Sequence, residues 1–191
     1  VFGSPTRSFE GATLPNAAGM EAVAELAEAL HLPVAPRRIE GFDISNILGT
    51  LAVGSMVVML DGKAKPSEYR RFRIKTVFQS DDFAMMREVV TRRYNRRLRE
   101  DLEMPDLILI DGGKGQLNMA YAALQELGAG DIPILGLAKR NEEIFLPGRD
   151  EPVVLSRFSG ALRVLQALRD EAHRFAVSYH RELRQKRLQQ I

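Results

Sequence analysis

Residues 107–113 read Leu-Ile-Leu-Ile-Asp-Gly-Gly, an uninterrupted apolar run that ends in an acid and two glycines. Four successive apolar residues after Pro105 are typical of a central strand that is buried on both faces. Open α/β sheets bind their ligands at the carboxyl edge of such strands. Asp111 therefore stands where a functional group is expected, and the glycines after it allow a bulky substrate to approach the backbone closely.

A second strand-like run, residues 39–45, also carries an acid near its end, Asp43. Two such carboxylates and the late histidine His173 are enough to hold a hard divalent cation over a phosphate. Simpler interpretations remain open: each acid can be a turn or capping residue, and His173 can be a boundary residue with one hydrogen bond. The chain has no cysteine, which excludes disulfides, thiolate zinc sites and thiol nucleophiles. Any metal must therefore use oxygen or imidazole ligands.

The other segments predict an order of β-β-β-α-β-α-β-α after a short first helix. The predicted strands are 39–45, 50–60, 68–75, 107–110 and 132–138, and the predicted helices are 20–30, 80–101, 114–127 and 160–184. Asp61-Gly62-Lys63 predicts a hairpin between the second and third strands, and 143–155 predicts a short hairpin or loop. The order indicates an α/β fold with a mixed sheet flanked by helices.

The length and composition indicate one domain without a membrane span. We expect residues 1–18, which lack apolar periodicity, to form an irregular arm or linker, and residues 19–191 to form the domain. No run of eighteen apolar residues is present, so we expect a soluble, cytoplasmic protein and an isolated domain that is monomeric.

The basic residues are segregated along the chain. Segments 63–75 and 87–99 each carry a net charge of +5 and segment 163–187 carries +4, although the whole chain is only +2. Clustered arginines bind polyanions through bidentate bonds and counterion release, so the pattern favours a nucleic acid. For any single cluster, a solvated helix face is the alternative.

Several motifs in order resemble one family. They are Arg38-Ile39-Glu40-Gly41-Phe42-Asp43-Ile44-Ser45, Glu68-Tyr69-Arg70-Arg71-Phe72, Asp81-Asp82, the run from Pro105 to Gln116, and the run from Arg169 to Ala176. Across residues 20–187 the chain resembles the endonuclease half of UvrC, the incision subunit of bacterial nucleotide excision repair. One position departs from the motif, since Gly41 stands where the family more often has Cys. Because the other modules of the full-length family cannot be located, we expect the chain to be a fragment.

The resemblance implies a ribonuclease H-like, metal-dependent DNA endonuclease that cuts on the 5′ side of a lesion. It implies roles for Asp43 and Asp111 as acids on the first and fourth strands, for His173 on the last helix, and for Asp82 as a further essential acid. On this basis Asp43, Asp111 and His173 are the expected ligands of Mg²⁺ or Mn²⁺. His173 can be a ligand or a general acid/base, and Asp82 can be a ligand of a second ion or a helix cap.

The implied partners are damaged double-stranded DNA and, in the full-length protein, a UvrB-DNA complex. We assign the DNA contacts to Arg70, Arg71, Arg92, Arg93, Arg96, Lys114, Arg169 and Arg174. Two other functions stay open. One is a catalytically inactive DNA-binding or scaffolding module of the same fold, and the other is a nuclease of the resolvase or integrase kind.

Overall fold

The computed structural model describes residues 16–47, 51–75 and 81–190. Within these ranges, seven strands form one mixed sheet. The strands are β1 (Arg38–Ile47), β2 (Leu51–Leu60), β3 (Lys63–Ala64), β4 (Arg70–Arg73), β5 (Leu107–Asp111), β6 (Ile134–Leu137) and β7 (Ile144–Phe145). The strand order is β3-β2-β1-β5-β6-β7, and β4 also pairs with β2.

The pairing combines an antiparallel meander with a parallel core. Strands β1 to β4 pair antiparallel, whereas β5 lies parallel to both β1 and β6. All five residues of β5 are buried, as the apolar run at 107–110 predicts. Asp61 and Gly62 both have positive φ, as a two-residue hairpin turn requires, so the turn forms where it was predicted; it leads into the short strand β3 and not directly into the predicted strand 68–75.

Helices cover both faces of the sheet. They are α1 (Asn16–Ala29), α2 (Asp82–Arg99), α3 (Lys114–Glu126) and α4 (Gly160–Leu188). Helix α4 packs on β1, β2 and α1, while α2 and α3 pack against each other on the opposite face. The observed order agrees with the predicted mixed sheet flanked by helices, the ribonuclease H-like arrangement. In the described part of the chain, no helix is long and apolar enough to cross a membrane.

Several element boundaries differ from the sequence expectations. Residues 1–15 of the predicted arm lie outside the described residues, and residues 16–18 already belong to α1. The third predicted strand, 68–75, is shorter because a 3₁₀ turn occupies Pro66–Glu68 and only Arg70–Arg73 pair with β2. The predicted hairpin or loop at 143–155 contains β7 and one further bridge, from Ile144 to Val153.

A buried ionic cluster joins β1 to α2 on the face opposite α4. The Glu40 side chain is fully buried and accepts hydrogen bonds from Arg38 at 2.8 Å, Arg93 at 3.0 Å and the Tyr94 hydroxyl at 2.9 Å. Burial alone would raise the pKa of Glu40, but the two guanidinium groups outweigh burial and hold it below its usual range. This face is therefore stabilised by charges that are not available to a ligand.

Candidate active site

The parallel register of β1 and β5 brings Asp43 and Asp111 together. Phe42 pairs with Ile110, so the two acids are the next residues along neighbouring parallel strands and lie on the same face of the sheet. The strand predicted over 39–45 is longer in the structure, because β1 continues to Ile47 by pairing with β2. Asp43 therefore stands within β1, just after the last residue that pairs with β5.

Both carboxylates are nearly buried and poorly neutralised. Asp43 is 7% exposed and Asp111 8% exposed. Burial raises the pKa of Asp43 to about 6; the charge of Asp111 adds to the rise, while His173 and Lys139 oppose it. Burial also raises the pKa of Asp111, against the opposing charges of Lys139 and Arg169. Burial thus disfavours the ionised form of both acids more than the nearby positive charges favour it.

Helix α4 presents His173 to the same site. Its ring Nδ1 lies 3.6 Å from Asp43 Oδ2, and its side chain is 59% exposed. The helix lies close to β1 at Gly41, where an added Cβ would stand only 3.1 Å from Leu168 Cγ. The absence of a side chain at Gly41 permits this close approach. Asp170, which the helical spacing offers as a partner for the His173 ring, contacts Arg169 instead.

An open cleft of about 280 Å³ lies over Asp111 and His173, and Asp43 is not among its lining residues. It is lined by Asp111, Lys139, Arg169, Asp170 and His173. The Arg169 guanidinium is held by Glu142 at 2.7 Å, so the predicted contact residue Arg169 does face the site. Across residues 16–47, 51–75 and 81–190, no three His, Asp or Glu side chains form a group that could by themselves hold a metal ion. The three predicted ligands are therefore neighbours without being an assembled three-ligand site.

Asp82 is not among the residues that line the cleft. It is exposed on the first turn of α2, and the cap of this helix is its neighbour Asp81, which accepts hydrogen bonds from the Phe83 and Ala84 amides at 3.1 Å. An added Cβ at Gly115 would meet the Phe83 ring at 2.5 Å, so the start of α2 lies beside the start of α3. Asp82 is therefore near the loop that follows Asp111, outside the cleft itself.

Arg71 lies in the same row of the sheet as the acids. Asp43 pairs with Ser55, and Ser55 pairs with Arg71, so all three face α4. The Arg71 guanidinium lies 4.0 Å from the Phe175 ring centroid and 4.8 Å from that of Tyr179. Ser55 is fully buried beside Asp43, and its hydroxyl has no hydrogen-bond partner among the described atoms.

Three of the arginines assigned to DNA contact pair with carboxylates whose side chains are at most 7% exposed. Arg93 pairs with buried Glu40 at 3.0 Å, Arg174 pairs with buried Glu171 at 2.6 Å, and Arg92 pairs within its own helix. Removing a partner from a buried carboxylate is costly, so Arg93 and Arg174 have structural roles. The linear pattern of basic residues does not reveal this pairing.

The other three assigned residues are accessible to a polyanion. Within the described part of the chain, Arg70 is exposed and donates only to backbone carbonyls, and the Arg96 side chain is 75% exposed and pairs with Glu100 at 3.0 Å. Lys114, at the start of α3, forms a surface ion pair with Asp150 at 2.8 Å. Surface ion pairs contribute little stability, so a phosphate can replace such a partner.

Sequence reasoning missed Lys139, which is exposed at the rim of the cleft. The signal was present, since Lys139 directly follows the strand predicted at 132–138. Ligands bind at the carboxyl edge of the strands in an open α/β sheet, and this rule, which points to Asp111, points to Lys139 as well.

Comparison with known proteins gives a consistent result. The family model described as the UvrC RNAse H endonuclease domain matches residues 27–177. The UvrABC system protein C of Chlorobium chlorochromatii is 58% identical over 162 residues, covering 85% of this chain and 26% of that protein. The UvrABC system protein C of Solibacter usitatus is 59% identical over 163 residues, again covering 85% of this chain and 26% of that protein. The chain spans about a quarter of the length of these curated relatives.

Solved structures give a weaker likeness. Human ENDOV is 16% identical, with a TM-score of 0.45 over 88% of this chain and 99% of that one. An endonuclease V of Ciona intestinalis in complex with DNA is 14% identical, with a TM-score of 0.47 over 89% of this chain and 96% of that one. A likeness at this level carries no functional information.

Proposed function

The chain belongs to the UvrC RNase H endonuclease domain family, and we propose that it makes the 5′ incision beside a DNA lesion by metal-dependent hydrolysis of a phosphodiester. The observation that carries this proposal is the pair of nearly buried carboxylates, Asp43 and Asp111, side by side at the edge of the parallel core. A module that only binds DNA has no use for two acids that repel phosphate.

The two acids fit a hard divalent cation. Their pKa values are raised first by burial, which penalises the ionised carboxylates, and a bound cation would offset that penalty. Oxygen ligands favour Mg²⁺ or Mn²⁺, so Asp43 and Asp111 would hold the ion, with water and phosphate oxygens completing its coordination. When bound, such an ion supplies a Lewis acid that activates water and neutralises charge on the phosphoryl oxygens.

The other side chains of the cleft would handle the proton and the phosphate. His173 is placed to exchange a proton, because its Nδ1 faces Asp43 while much of its ring is open to solvent. Arg169, kept in position by Glu142, would bind an adjacent phosphate through its remaining donors. In the reaction a water oxygen bonds to phosphorus as the bond to O3′ breaks. The leaving oxygen takes a proton, which gives a 3′-hydroxyl and a 5′-phosphate.

The accessible basic residues would hold the rest of the DNA. Arg70, Arg96 and Lys114 have partners that a phosphate can replace. Recognition of a lesion would come from a UvrB-DNA complex in a full-length protein, because the described cleft is lined by charged side chains and offers no aromatic wedge.

The deciding experiment compares Asp43→Asn and Asp111→Asn with Asp131→Asn, an exposed acid outside the cleft. The variants are tested within a full-length UvrABC system protein C, on a duplex with one lesion. We expect both site variants to lose 5′ incision by at least about 10³-fold while their affinity for DNA is unchanged, and we expect Asp131→Asn to cut normally. EDTA should abolish the cut, and Mn²⁺ or Mg²⁺ should restore it.

Three results would contradict the proposal. Retained 5′ incision by Asp43→Asn would remove the assigned site. Salt-sensitive DNA binding unaffected by EDTA, without any incision, would favour an inactive binding module. Preferential cutting of four-way junctions over lesion duplexes would favour a nuclease of the resolvase kind.

A further inference from the structure

The end of β6 brings a lysine to the rim of the cleft. Leu137 pairs with Asp111 in the parallel register, and Lys139 follows two residues later. Lys139 lines the cleft together with Asp111, Arg169 and His173. The three strands of the parallel core therefore contribute two acids and one ammonium group to one region.

A strained turn holds this lysine. Two nearby residues, Asn141 and Glu142, have φ values of 60° and 51°, a left-handed region that asparagine tolerates and glutamate rarely adopts. The turn is closed by a hydrogen bond from the Ala138 amide to the Glu143 carbonyl at 2.9 Å. Such backbone strain persists only where the surrounding structure imposes it, and it is concentrated at functional sites. Here the turn places both Lys139 and Glu142 beside the cleft.

The two cations of the cleft are held differently. Arg169 is only 12% exposed and is fixed by Glu142 and Asp170. Lys139 is exposed, and among the ion pairs of the described residues it has no carboxylate partner. Its charge nevertheless acts on both Asp43 and Asp111, where it opposes the rise in pKa that burial causes. An ammonium group that is close to the acids without pairing with them is free to bind an incoming anion.

We propose that Lys139 is a catalytic residue whose ammonium group contacts a non-bridging oxygen of the phosphate that is cut. This inference rests on the proposed endonuclease activity and adds to it the group that neutralises charge on the attacked phosphate. As water bonds to phosphorus and the bond to O3′ breaks, negative charge grows on the non-bridging oxygens. A compact ammonium placed beside them stabilises that charge more in the transition state than in the bound substrate.

The test compares Lys139→Gln, Lys139→Arg and the control Arg140→Gln within a full-length UvrABC system protein C. Arg140 is the exposed neighbour of Lys139 and does not line the cleft. Single-turnover incision of a lesion duplex gives the rate constant, and DNA binding across a salt series gives the affinity and its salt dependence. Thermal unfolding of each variant reports any structural effect.

We expect Lys139→Gln to lower the single-turnover rate constant about 10²- to 10³-fold, the size seen when one charge-stabilising donor is removed. The slope of log affinity against log salt should fall by about one, as for the loss of one phosphate contact. Lys139→Arg should cut at least about tenfold faster than Lys139→Gln, because it restores the positive charge. Arg140→Gln should cut at the normal rate.

Asp43→Asn separates the failure of this inference from the failure of the proposed function. If Asp43→Asn is inactive but Lys139→Gln cuts at the normal rate, the lysine assignment is wrong and the endonuclease assignment stands. If Asp43→Asn still cuts, the endonuclease site itself is wrong. A rate loss that is equal in Lys139→Gln and Lys139→Arg, with a lowered unfolding midpoint, would make Lys139 a structural residue and overturn the proposal.

Discussion

Replacing Asp43 by Asn is expected to stabilise the metal-free protein at pH 8 while it removes activity. Burial, with the charge of Asp111 added, raises the pKa of Asp43 from 3.8 to about 6 in the folded protein. At pH 8 the carboxylate is ionised in both the folded and the unfolded chain, and its ionisation opposes folding. Asparagine has nearly the same shape and carries no charge, so it removes this opposition.

The size of the effect follows from the pKa difference. One pKa unit corresponds to about 1.4 kcal/mol, so a rise from 3.8 to about 6 corresponds to about 3 kcal/mol at most. Because the folded pKa lies above the unfolded one, the wild type should lose this stability as the pH rises from about 4 to about 6. Asp43 and Asp111 titrate as a pair, so we expect the single substitution to raise the free energy of unfolding at pH 8 by about 1–3 kcal/mol.

Urea unfolding in EDTA at pH 4.5 and pH 8 measures this free energy, with Asp131→Asn as an exposed control. The advantage of Asp43→Asn over the wild type should be present at pH 8 and small at pH 4.5. The reasoning is refuted if Asp43→Asn is no more stable than the wild type at pH 8, or if the difference does not depend on pH. Adding Mn²⁺ should then stabilise the wild type and leave Asp43→Asn unchanged, because only the wild type keeps both carboxylates.

Two further predictions concern the opposite face of the sheet. Glu40→Gln should lower the free energy of unfolding by about 3–5 kcal/mol at pH 7, because Arg93 keeps its buried charge and loses its partner. Since the pKa of Glu40 is held below its usual range, this stability is present at pH 7 and is lost on acidification. Urea unfolding measures the loss, and the control Glu103→Gln, at an exposed carboxylate, should cost less than about 1 kcal/mol. Gly54→Ala should cost about 1–3 kcal/mol, because the added Cβ would stand 2.5 Å from Val89 Cγ2; a thermal midpoint equal to that of the wild type would contradict this packing.

Local patterns account for much of the fold. The apolar run before Asp111 predicts β5, and Asp61-Gly62 predicts the hairpin. Burial on both faces and a positive φ each restrict which residue types can occupy a position, so both can be recognised from the sequence. Boundaries were less predictable. Helix α1 begins at Asn16, inside the expected arm, since the end of a helix depends on packing as well as on composition.

The amino-acid sequence by itself determined the chemistry available to this protein: two acids near strand ends, one late histidine, no thiols, and three basic segments. Only the tertiary structure decided which of these groups act together. Arg93 forms an ion pair with Glu40, which is 53 residues away in the sequence. Lys139 lies near Asp43 and Asp111 and has no ion-pair partner among the described residues. Ion pairing and strand register depend on contacts between distant segments, and these contacts arise only when the sheet and its helices pack.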